Sequence, residues 1–533
     1  IFQNWEPLAV SFPAYVTGII AKFLNATTAD GYNPYRVTRQ GIEWEVPDPE
    51  DPWANIGYWS DHQIIYLQKL LELAAQLRPG EIKELWNAPL FAYANVPYEI
   101  RPYKQMLVDW YDTIDFAFEK EKEIEKRVAA IGTDGKLCLD QNGAVIHVTM
   151  VEKLLVLLLA KLTNLVPEGG IWMNTQRPEW NDANNALVGK GISVVTAAYL
   201  RRFVAFWKTQ LTDSEGAFAV NTAVVELLTA VQTVFESHQA GLQHGFDNQM
   251  RRAVMDALGT AATEYRVKIY EDGIPQTTAN VAAQTLSDFL DLAQQYLEQT
   301  LRANRREDNL YHAYNILRLG EGTAAVGHLY LMLEGQVAIL SSGMLNADEV
   351  LALLRQMRQS ELYRADQHSY MLYPNRRLPR FQEKNVVPVA KVAHSALVKQ
   401  LMEQGDGRLL KQDVAGNFHF NGTFRNERDA ARVLDELAQE ATFAELATAE
   451  REAILTLFEE TFHHSAFTGR SGTFFAYEGL GSIYWHMVSK LLLAVQECYF
   501  AAVQNGADAA TTAALADAYY DVRAGIGFNK TPD

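Results

Sequence analysis

The sequence has few of the features that mark a disulfide framework, a membrane span or a surface for nucleic acid. It contains only two cysteines, Cys138 and Cys498, without a CxxC pair, so neither a zinc cluster nor a disulfide framework is predicted. The most apolar run, Leu154 to Leu162, is interrupted by Lys161 and is too short to cross a bilayer. A net charge of −18 argues against binding to nucleic acid or to an anionic membrane. These absences predict a cytoplasmic protein.

Common catalytic motifs are also missing from the sequence. There is no HExxH, no Ser/His/Asp or cysteine-nucleophile signature, and no GxxxxGK[ST] loop for nucleotide phosphates. Asp134 and Asp140 lack the twelve-residue ligand spacing of a calcium loop, so we interpret them as turn residues and predict no metal site. The glycine-rich stretch 320–327 follows no evident strand, which argues against a dinucleotide site.

What the sequence does have is helical periodicity. Apolar residues recur at helical spacing in segments near 5–25, 64–74, 100–130, 150–164, 186–212, 215–241, 245–265, 281–302, 324–341, 346–357, 388–404, 427–440, 448–463, 481–503 and 509–522. Residues 132–149 are predicted to form a β-hairpin with a turn at Gln-Asn-Gly, and residues 359–387 a basic, proline-punctuated loop. The pattern predicts an all-α fold, either a toroid or a solenoid.

One stretch, residues 171–189, carries side chains suited to sugar chemistry. Pro178 keeps the backbone out of helix until shortly before Asp182. The indole of Trp180 offers a flat apolar face, while Arg177 and Asn181 offer hydrogen bonds to hydroxyl groups. A carboxyl group beside an aromatic ring resists ionisation, as a general acid requires. Alternatively, Asp182 caps the helix that follows.

Two further stretches lie at junctions between loops and helices. Trp59, Asp61 and Gln63 cluster at the start of a helix, where an ordinary N-terminal aspartate is the alternative explanation. Near the C-terminus, a glycine-rich turn can present backbone N–H groups, guanidinium and hydroxyl donors to a phosphate. Its alternative is a plain turn between two helices. The proposed phosphate ligands of this turn are His463, His464, Arg470, Ser471, Gly472, Gly481 and Ser482.

The chain resembles the (α/α)6-barrel glycoside phosphorylases of the cellobiose and chitobiose phosphorylase family and the related β-1,3-glucan phosphorylases. The segment from Trp180 to Asp182, with Val188 and Gly189 after it, is similar to the family segment that carries the general acid. The resemblance implies that Asp182 is the acid and that Trp180 forms a wall of the sugar subsite.

Other segments of the chain resemble this family in the same order. Asp61 and Gln63 match an Arg-Asp-x-x-Gln segment at the sugar, although Tyr58-Trp59 stands where the arginine would be. Glu383 and Asn385 match an Arg-Glu-Asn segment that would also contact the sugar. Gly481-Ser482 resembles a Thr-Gly-Ser segment at the phosphate, with Leu480 in place of the threonine.

The resemblance implies that residues 1–533 form the barrel, with the 132–149 hairpin and the 359–387 active-site loop as insertions. No β-sandwich is visible, and the chain begins at Ile1 rather than Met, so a longer protein with an upstream sandwich domain is expected. The expected partners are an oligosaccharide and inorganic phosphate, and a homodimer is the assembly considered.

The implied function is inverting phosphorolysis of a β-glucoside or short β-glucan, with phosphate as co-substrate and no cofactor. An inverting hydrolase is the alternative, with Glu478 or Glu383 as the base that activates water. A transglycosylase and an inactive carbohydrate-binding domain also remain open. Phosphorolysis is the first hypothesis and hydrolysis the second, and Asp182 in the best-matching segment argues against a domain that only binds carbohydrate.

Overall fold

A computed structural model describes the chain except for residues 1, 34–35, 39–40, 48–57, 59–62, 111, 176–186, 188, 213–215, 375–379, 463–481 and 530–533. The chain divides into two compact units. The main unit comprises residues 1–176, 187–374 and 482–533, and the insertion unit comprises residues 177–186 and 375–481. The domain boundaries predicted from the sequence do not separate the insertion unit from the barrel.

Helices dominate the described residues. The α-helices are α1 Phe2–Ser11, α2 Val16–Asn25, α3 Gln68–Leu77, α4 Pro79–Leu85, α5 Tyr103–Met106, α6 Phe118–Ile131, α7 Met150–Leu162, α8 Val194–Leu211, α9 Thr222–Ser237, α10 Ala240–His244, α11 Asn248–Glu271, α12 Ala283–Ala303, α13 Leu333–Ser341, α14 Ala347–Gln359, α15 Phe381–Lys384, α16 Val389–Val392, α17 Ala396–Glu403, α18 Glu427–Ala438, α19 Ala444–Phe462, α20 Trp485–Gln504 and α21 Ala509–Ile526. Helices α15 to α19 belong to the insertion unit.

The strands are short and pair mostly in twos. They are β1 Arg36–Thr38, β2 Gly41–Glu43, β3 Tyr98–Ile100, β4 Ile114–Phe116, β5 Leu165–Val166, β6 Gly170–Trp172, β7 Gly191–Ser193, β8 Ala217–Asn221, β9 Thr278–Ala282, β10 Tyr314–Gly320, β11 Thr323–His328, β12 Tyr363–Arg364, β13 Ser369–Tyr370, β14 Leu410–Gln412 and β15 Phe418–Phe420. The prediction of an all-α fold with small β insertions is confirmed.

Within the main unit, some helices are enclosed and others cover them. Every residue of α7 and of α13 is buried, because both helices are apolar on nearly all sides and must be surrounded by other elements. By contrast, α12 and α14 bury one apolar stripe each and leave a polar face to solvent. This separation into enclosed and covering helices is what a two-layered helical ring requires.

A buried ionic network joins four helices of the main unit. The guanidinium of Arg202 on α8 lies 2.7 Å from a carboxylate oxygen of Glu72 on α3 and 2.6 Å from one of Glu497 on α20. It also donates to the carbonyl of Ser341 at the end of α13. Only 17% of the Arg202 side chain is exposed, so removal of any partner would leave a buried charge uncompensated.

A five-stranded antiparallel sheet of the main unit, in the order β11-β10-β7-β6-β5, holds both ends of the loop that carries the predicted sugar-binding motif. Trp172 of β6 pairs with Ile192 of β7, and Ile192 pairs in turn with Asn315 of β10. The connection from β6 to β7 runs through residues 173–190 and therefore contains the segment predicted to bind sugar. This connection is anchored at both ends in the centre of the sheet.

The segments 132–149 and 359–387, predicted as a hairpin and a loop, both contain short elements of regular structure. Residues 132–149 contain a 3₁₀ turn and a minimal hairpin, in which Leu139 and Val145 form an antiparallel bridge. Residues 359–387 are not a single loop. Strands β12 and β13 form a small hairpin in the main unit, and the segment then enters the insertion unit at helix α15.

The glycine-rich stretch 320–327 does follow a strand, contrary to the sequence analysis. Strands β10 and β11 form a hairpin whose turn includes Gly322, which has a φ of +62° that favours glycine. A strand rather than a helix follows the turn, so the geometry of a dinucleotide-binding loop is absent from these described residues.

The insertion unit has its own hydrophobic core, formed by residues of α16 to α19 and both of its strands. The core residues are Val387, Val392, Leu397, Val398, Leu401, Leu409, Leu410, Phe420, Phe424, Ala430, Val433, Leu434, Leu437, Phe443, Ala447, Ile454, Leu457, Phe458 and Phe462. Helix α18 shows the underlying pattern, with four buried residues spaced three and four apart. A separate core is typical of a segment that folds as its own domain.

Among the described residues of both units, no helix combines the length and the apolar character needed to cross a membrane.

Candidate functional site

Most residues predicted to form the site lie outside the described part of the chain. They are Trp59, Asp61, Arg177, Trp180, Asn181, Asp182, His463, His464, Arg470, Ser471, Gly472, Glu478 and Gly481. For Gln63 the backbone is described and begins a π-helical turn, Gln63–Leu67. The roles predicted for these residues stay predictions, and the described residues that flank them show how the site is held in the fold.

The loop that carries the sugar-binding motif is closed at its base. The backbone N–H of Met173 donates to the carbonyl of Gly191 over 2.9 Å, and the indole N–H of Trp172 donates to the carbonyl of Gly189 over 2.6 Å. Gly189 has a φ of +77°, and a Cβ there would lie 2.3 Å from the carbonyl oxygen of Trp110. Only glycine fits this position, which explains why the motif ends in Val-Gly.

Buried polar side chains hold the first part of the same loop. Asn174, 3% exposed, donates from its carboxamide to the side-chain oxygen of Asn164 over 2.9 Å. The carboxamide of Asn164 donates to the hydroxyl of Tyr32 over 3.2 Å. Because buried carboxamides are costly unless they are hydrogen-bonded, this chain of bonds fixes the direction in which the loop leaves the sheet.

Two of the stretches predicted to bind sugar meet at their described ends. The hydroxyl of Thr175 donates to the backbone carbonyl of Tyr58 over 3.2 Å. Thr175 immediately precedes the undescribed part of the 171–189 stretch, and Tyr58 immediately precedes Trp59. The fold therefore brings the two stretches together, although about 115 residues of sequence separate them.

Tyr58 is fixed by a carboxylate that the sequence analysis did not select. Its hydroxyl lies 2.8 Å from Asp30 Oδ1 and 2.7 Å from the hydroxyl of Thr28, and Tyr270 donates to Asp30 Oδ2 over 2.5 Å. Burial, followed by the charge of Asp30, raises the pKa of Tyr58 well above its usual value. Tyr58 is therefore a neutral hydrogen-bond donor, and the side chain of Asp30 is the acceptor that positions it.

The two C-terminal stretches of the predicted site also meet. The backbone N–H of Leu372 donates to the carbonyl of Ser482 over 2.9 Å, and the carbonyl of Leu372 accepts from Leu333 at the start of α13. Ser482 is the described end of the glycine-rich stretch and is exposed. The polypeptide therefore leaves the main unit just after Leu372 and returns to it at Ser482, which is hydrogen-bonded to Leu372.

Glu383 and Asn385 are described, and both have local structural roles in the insertion unit. Asn385 is 4% exposed, and its carboxamide donates to the carbonyl and accepts from the N–H of Phe420, both over 2.8 Å. Glu383 is exposed and accepts from the backbone N–H of Arg380 over 2.8 Å, which caps α15. Phe420 occupies both ends of the Asn385 carboxamide, and the sugar contacts predicted for Glu383 and Asn385 stay predictions.

Two buried lysines near the loop were missed by the sequence analysis. Lys161 at the end of α7 is 2% exposed, and Lys190 at the end of the loop is 7% exposed. In the sequence, Lys161 stands out only as a break in an apolar run. Its side chain lines a cavity of about 10 Å³ with Asn164, Asn174 and Thr175, which is room for about one water molecule. The described base of the loop is therefore tightly packed.

One wide groove of the main unit does not have the character of a sugar site. An open groove of about 770 Å³ lies between α9 and α11. Its lining residues are Val225, Glu226, Thr229, Ala230, Thr233, Val234, Asp256, Ala257, Thr260, Ala261 and Glu264. Because none of these is aromatic, the groove offers no flat face on which a pyranose ring could stack. Among the described residues there is also no group of three His, Cys, Asp or Glu side chains that could hold a metal ion.

A family model matches part of the chain, and the match falls on the insertion unit. Residues 378–465 match the family model described as "GH149 phosphorylase insertion domain 2". The described residues of the insertion unit, 380–462, lie entirely within this range. No curated protein matches the chain. The finer resemblance to cellobiose and chitobiose phosphorylases stays a prediction, and what the match supports is a glycoside phosphorylase of the GH149 type.

Proposed function

We propose that this protein is an inverting glycoside phosphorylase that acts on β-glucosides or short β-glucans. The observation that carries the proposal is the match of the insertion unit to a phosphorylase insertion domain. The hydrogen bond from Thr175 to Tyr58 supports it further, because it joins two stretches whose sequences independently favour sugar binding. Asp182 is the proposed general acid and inorganic phosphate the nucleophile.

In this reaction the carboxyl group of Asp182 donates its proton to the departing glycosidic oxygen. A phosphate oxygen attacks the anomeric carbon from the opposite face, so that the bond to the departing sugar breaks as the bond to phosphate forms. The products are a sugar 1-phosphate of inverted configuration and a shortened acceptor. Phosphate arrives ionised, so a single carboxyl group is sufficient, whereas an inverting hydrolase needs a second carboxylate as base.

The described surroundings suit a loop that must present a catalytic group accurately. Its two ends are fixed in the central strands of a sheet, and its first residues are held by buried hydrogen bonds through Asn174 and Thr175. Catalysis by a positioned acid is sensitive to displacements of about 1 Å, so a rigid base is an advantage. The proposed phosphate ligands are the residues of the 463–482 turn named in the sequence analysis.

A product assay tests the proposal directly. The protein is incubated with β-linked glucose oligomers of different linkage, with and without inorganic phosphate, and sugar 1-phosphate and free sugar are quantified. We expect sugar 1-phosphate only when phosphate is present. Free sugar at the same rate with and without phosphate would instead indicate a hydrolase with Glu478 or Glu383 as base. Oligosaccharide binding without turnover would indicate a carbohydrate-binding domain.

A further inference from the structure

The main unit contains a second cavity, lined by none of the residues predicted to bind sugar or phosphate. Its volume is about 230 Å³, and it lies between α6, the 132–149 hairpin, the end of α11 and the segment that contains Tyr58. Its polar lining includes Lys120, Arg127, Asn95, Cys138, Tyr270 and Asp30. Polar groups from five separate parts of the chain therefore converge on one partly open cavity.

Two cations line this cavity without a counterion among the described residues. Lys120 and Arg127 are seven residues apart on α6, so they project from the same face of the helix. In the part of the chain that the structure describes, neither side chain makes a hydrogen bond or an ion pair, and Arg127 Nε is buried without an acceptor. A buried donor without a partner is unfavourable, so an acceptor inside the cavity would stabilise this arrangement.

Asp30, the carboxylate in the cavity wall, makes no ion pair with either cation among the described residues. Both oxygens of Asp30 accept hydrogen bonds from hydroxyl groups, those of Thr28, Tyr58 and Tyr270. The hydrogen-bonding capacity of Asp30 is therefore used to position Tyr58 and Tyr270. The cavity has two positive charges against one fully hydrogen-bonded carboxylate, in a protein whose net charge is −18.

We propose that this cavity is a second anion site, which binds the phosphoryl group of inorganic phosphate or of a small sugar phosphate. A guanidinium gives phosphate two parallel hydrogen bonds and an ammonium adds a point charge. Asn95, whose carboxamide makes no hydrogen bond among the described residues, is available to phosphate or to a sugar hydroxyl. The volume of about 230 Å³ is below the ~300–1,000 Å³ of pockets for drug-sized ligands, which favours a small anion over an oligosaccharide.

Tyr58 connects this cavity with the proposed active site. Its phenol ring lines the cavity, while its backbone carbonyl accepts from Thr175 at the base of the loop that carries Asp182. An anion held by Lys120 and Arg127 would therefore lie on the side-chain side of Tyr58. The backbone carbonyl of the same residue holds the base of the loop that carries Asp182. The proposal does not depend on catalysis, because the cavity is built without the predicted acid or the predicted phosphate ligands.

Cys138 provides a chemical probe inside the cavity. Burial raises the pKa of its thiol to about 11, so its alkylation by uncharged iodoacetamide at pH 8.5 is slow and sensitive to access. The protein has one other cysteine, Cys498 on α20, which serves as an internal reference. Alkylation at each cysteine is followed by peptide mass spectrometry while sodium phosphate, glucose 1-phosphate or glucose is added at constant ionic strength.

We expect phosphate or glucose 1-phosphate to slow alkylation of Cys138 at least tenfold at saturation, without effect at Cys498. Whichever of the two anions protects Cys138 from alkylation at the lower concentration identifies the natural source of the phosphoryl group. Glucose, which has no phosphoryl group, should not protect Cys138. In the Arg127→Gln and Lys120→Gln variants, the concentration for half-protection should rise about tenfold or more. The control is Lys126→Gln, an equal charge change on the exposed face of α6, which should behave as the wild type.

The proposal is overturned if neither anion protects Cys138, if Arg127→Gln protects as well as the wild type, or if Cys498 is protected equally. If Cys138 is not alkylated in the free protein, the crystal structure of the protein soaked in sodium phosphate tests the proposal instead. Density for an anion between Lys120 and Arg127 supports the site, and water alone overturns it. The Asp182→Asn variant should retain full protection of Cys138, which separates this site from the proposed catalytic function.

Discussion

At the scale of single residues, the proposed chemistry depends on the carboxyl group of Asp182. We expect Asp182→Asn to lower kcat for phosphorolysis by about 10²–10⁴-fold, because an amide cannot donate a proton to the departing oxygen. Oligosaccharide affinity should change little, since the amide keeps the shape and polarity of the side chain. Steady-state kinetics and calorimetric titration with oligosaccharide measure the two quantities.

The matched control for Asp182 is Asp134→Asn, the same substitution at an exposed aspartate of the 132–149 segment. It should leave kcat and affinity unchanged. Activity retained in Asp182→Asn would remove Asp182 from the role of acid. Loss of both activity and binding would instead indicate that Asp182 caps the following helix and holds the loop, which is the structural alternative that the sequence left open.

The histidines His312 and His328 make the stability of the folded chain depend on pH. The rings of His312 and His328 are stacked with centroids 4.1 Å apart, and His328 Nδ1 lies 2.8 Å from the side-chain oxygen of Asn315. Burial, then the charges of His328 and Arg306, lower the pKa of His312 from 6.5 to about 4. Burial, together with Arg306 and Arg251, also lowers the pKa of His328. Folding therefore favours the neutral rings.

Because the pKa of His312 is lower in the folded than in the unfolded chain, the unfolded chain binds more protons between pH 6.5 and 4. This contribution to stability is complete above pH 6.5 and is lost as the pH falls towards 4. We expect its loss to be on the order of 1 kcal/mol, after allowance for partial exposure. His312→Gln should reduce the fall in melting temperature between pH 6.5 and 4.5, and the exposed-site control His244→Gln should not.

At the scale of elements, α11 is fitted closely against the segment that contains α5. A Cβ on Gly259 would lie 2.2 Å from the ring of Tyr103, whose hydroxyl donates to Asp256 one turn earlier on α11. We expect Gly259→Ala to destabilise the main unit by about 1–3 kcal/mol, because the ring must move and strain its hydrogen bond. Urea unfolding followed by circular dichroism measures the change.

The control for Gly259 is Gly18→Ala in α2, where a Cβ would meet nothing within 4 Å. Alanine is the better helix former, so this variant should gain about 0.5–1 kcal/mol. Equal effects of the two substitutions would show that helix propensity, and not the contact with Tyr103, controls the tolerance of α11 to larger residues.

Helices were easier to predict from the sequence than strands, for a physical reason. The segment 281–302 was predicted as a helix and is α12, Ala283–Ala303, because its apolar residues recur over six turns. Strand β11, Thr323–His328, lies at the start of a segment predicted as the helix 324–341. Six residues carry too little periodicity to reveal a strand, and its existence depends on pairing with β10.

The same distinction applies to the candidate site. The motif from Trp180 to Asp182 is contiguous, so the sequence alone was sufficient to select it. Asp30 and Tyr270 come from distant parts of the chain, and each is an ordinary residue in its local sequence. Their role emerges only when the fold brings both to the phenol of Tyr58. Contacts of this kind have no local signature for a single sequence to show.

At the scale of the whole molecule, the insertion unit has the features of a separable domain. It has its own core, it matches a domain-level family model, and the main-unit residues that flank it, Leu372 and Ser482, are hydrogen-bonded to each other over 2.9 Å. A short linker can therefore span the gap that its removal would leave.

We expect a variant in which residues 375–481 are replaced by a short glycine-serine linker to retain a folded main unit. The separately expressed segment 378–465 should unfold cooperatively, with its own melting transition by circular dichroism. In that segment, Asn385→Ala should cost about 2–3 kcal/mol, because it leaves the N–H and the carbonyl of Phe420 without their partner. The control is Gln404→Ala at an exposed position, which should be neutral.

These two fragments also show what the insertion contributes to function. If the main unit folds alone and still forms sugar 1-phosphate, the insertion is dispensable for chemistry, and the family match then identifies the kind of enzyme without locating its site. If the main unit folds and turnover is lost, residues of 375–481 complete the active site, as expected when His463 to Ser482 supply the phosphate ligands. A main unit that fails to fold would contradict the division into two units, because its enclosed helices α7 and α13 would then depend on the insertion for their burial.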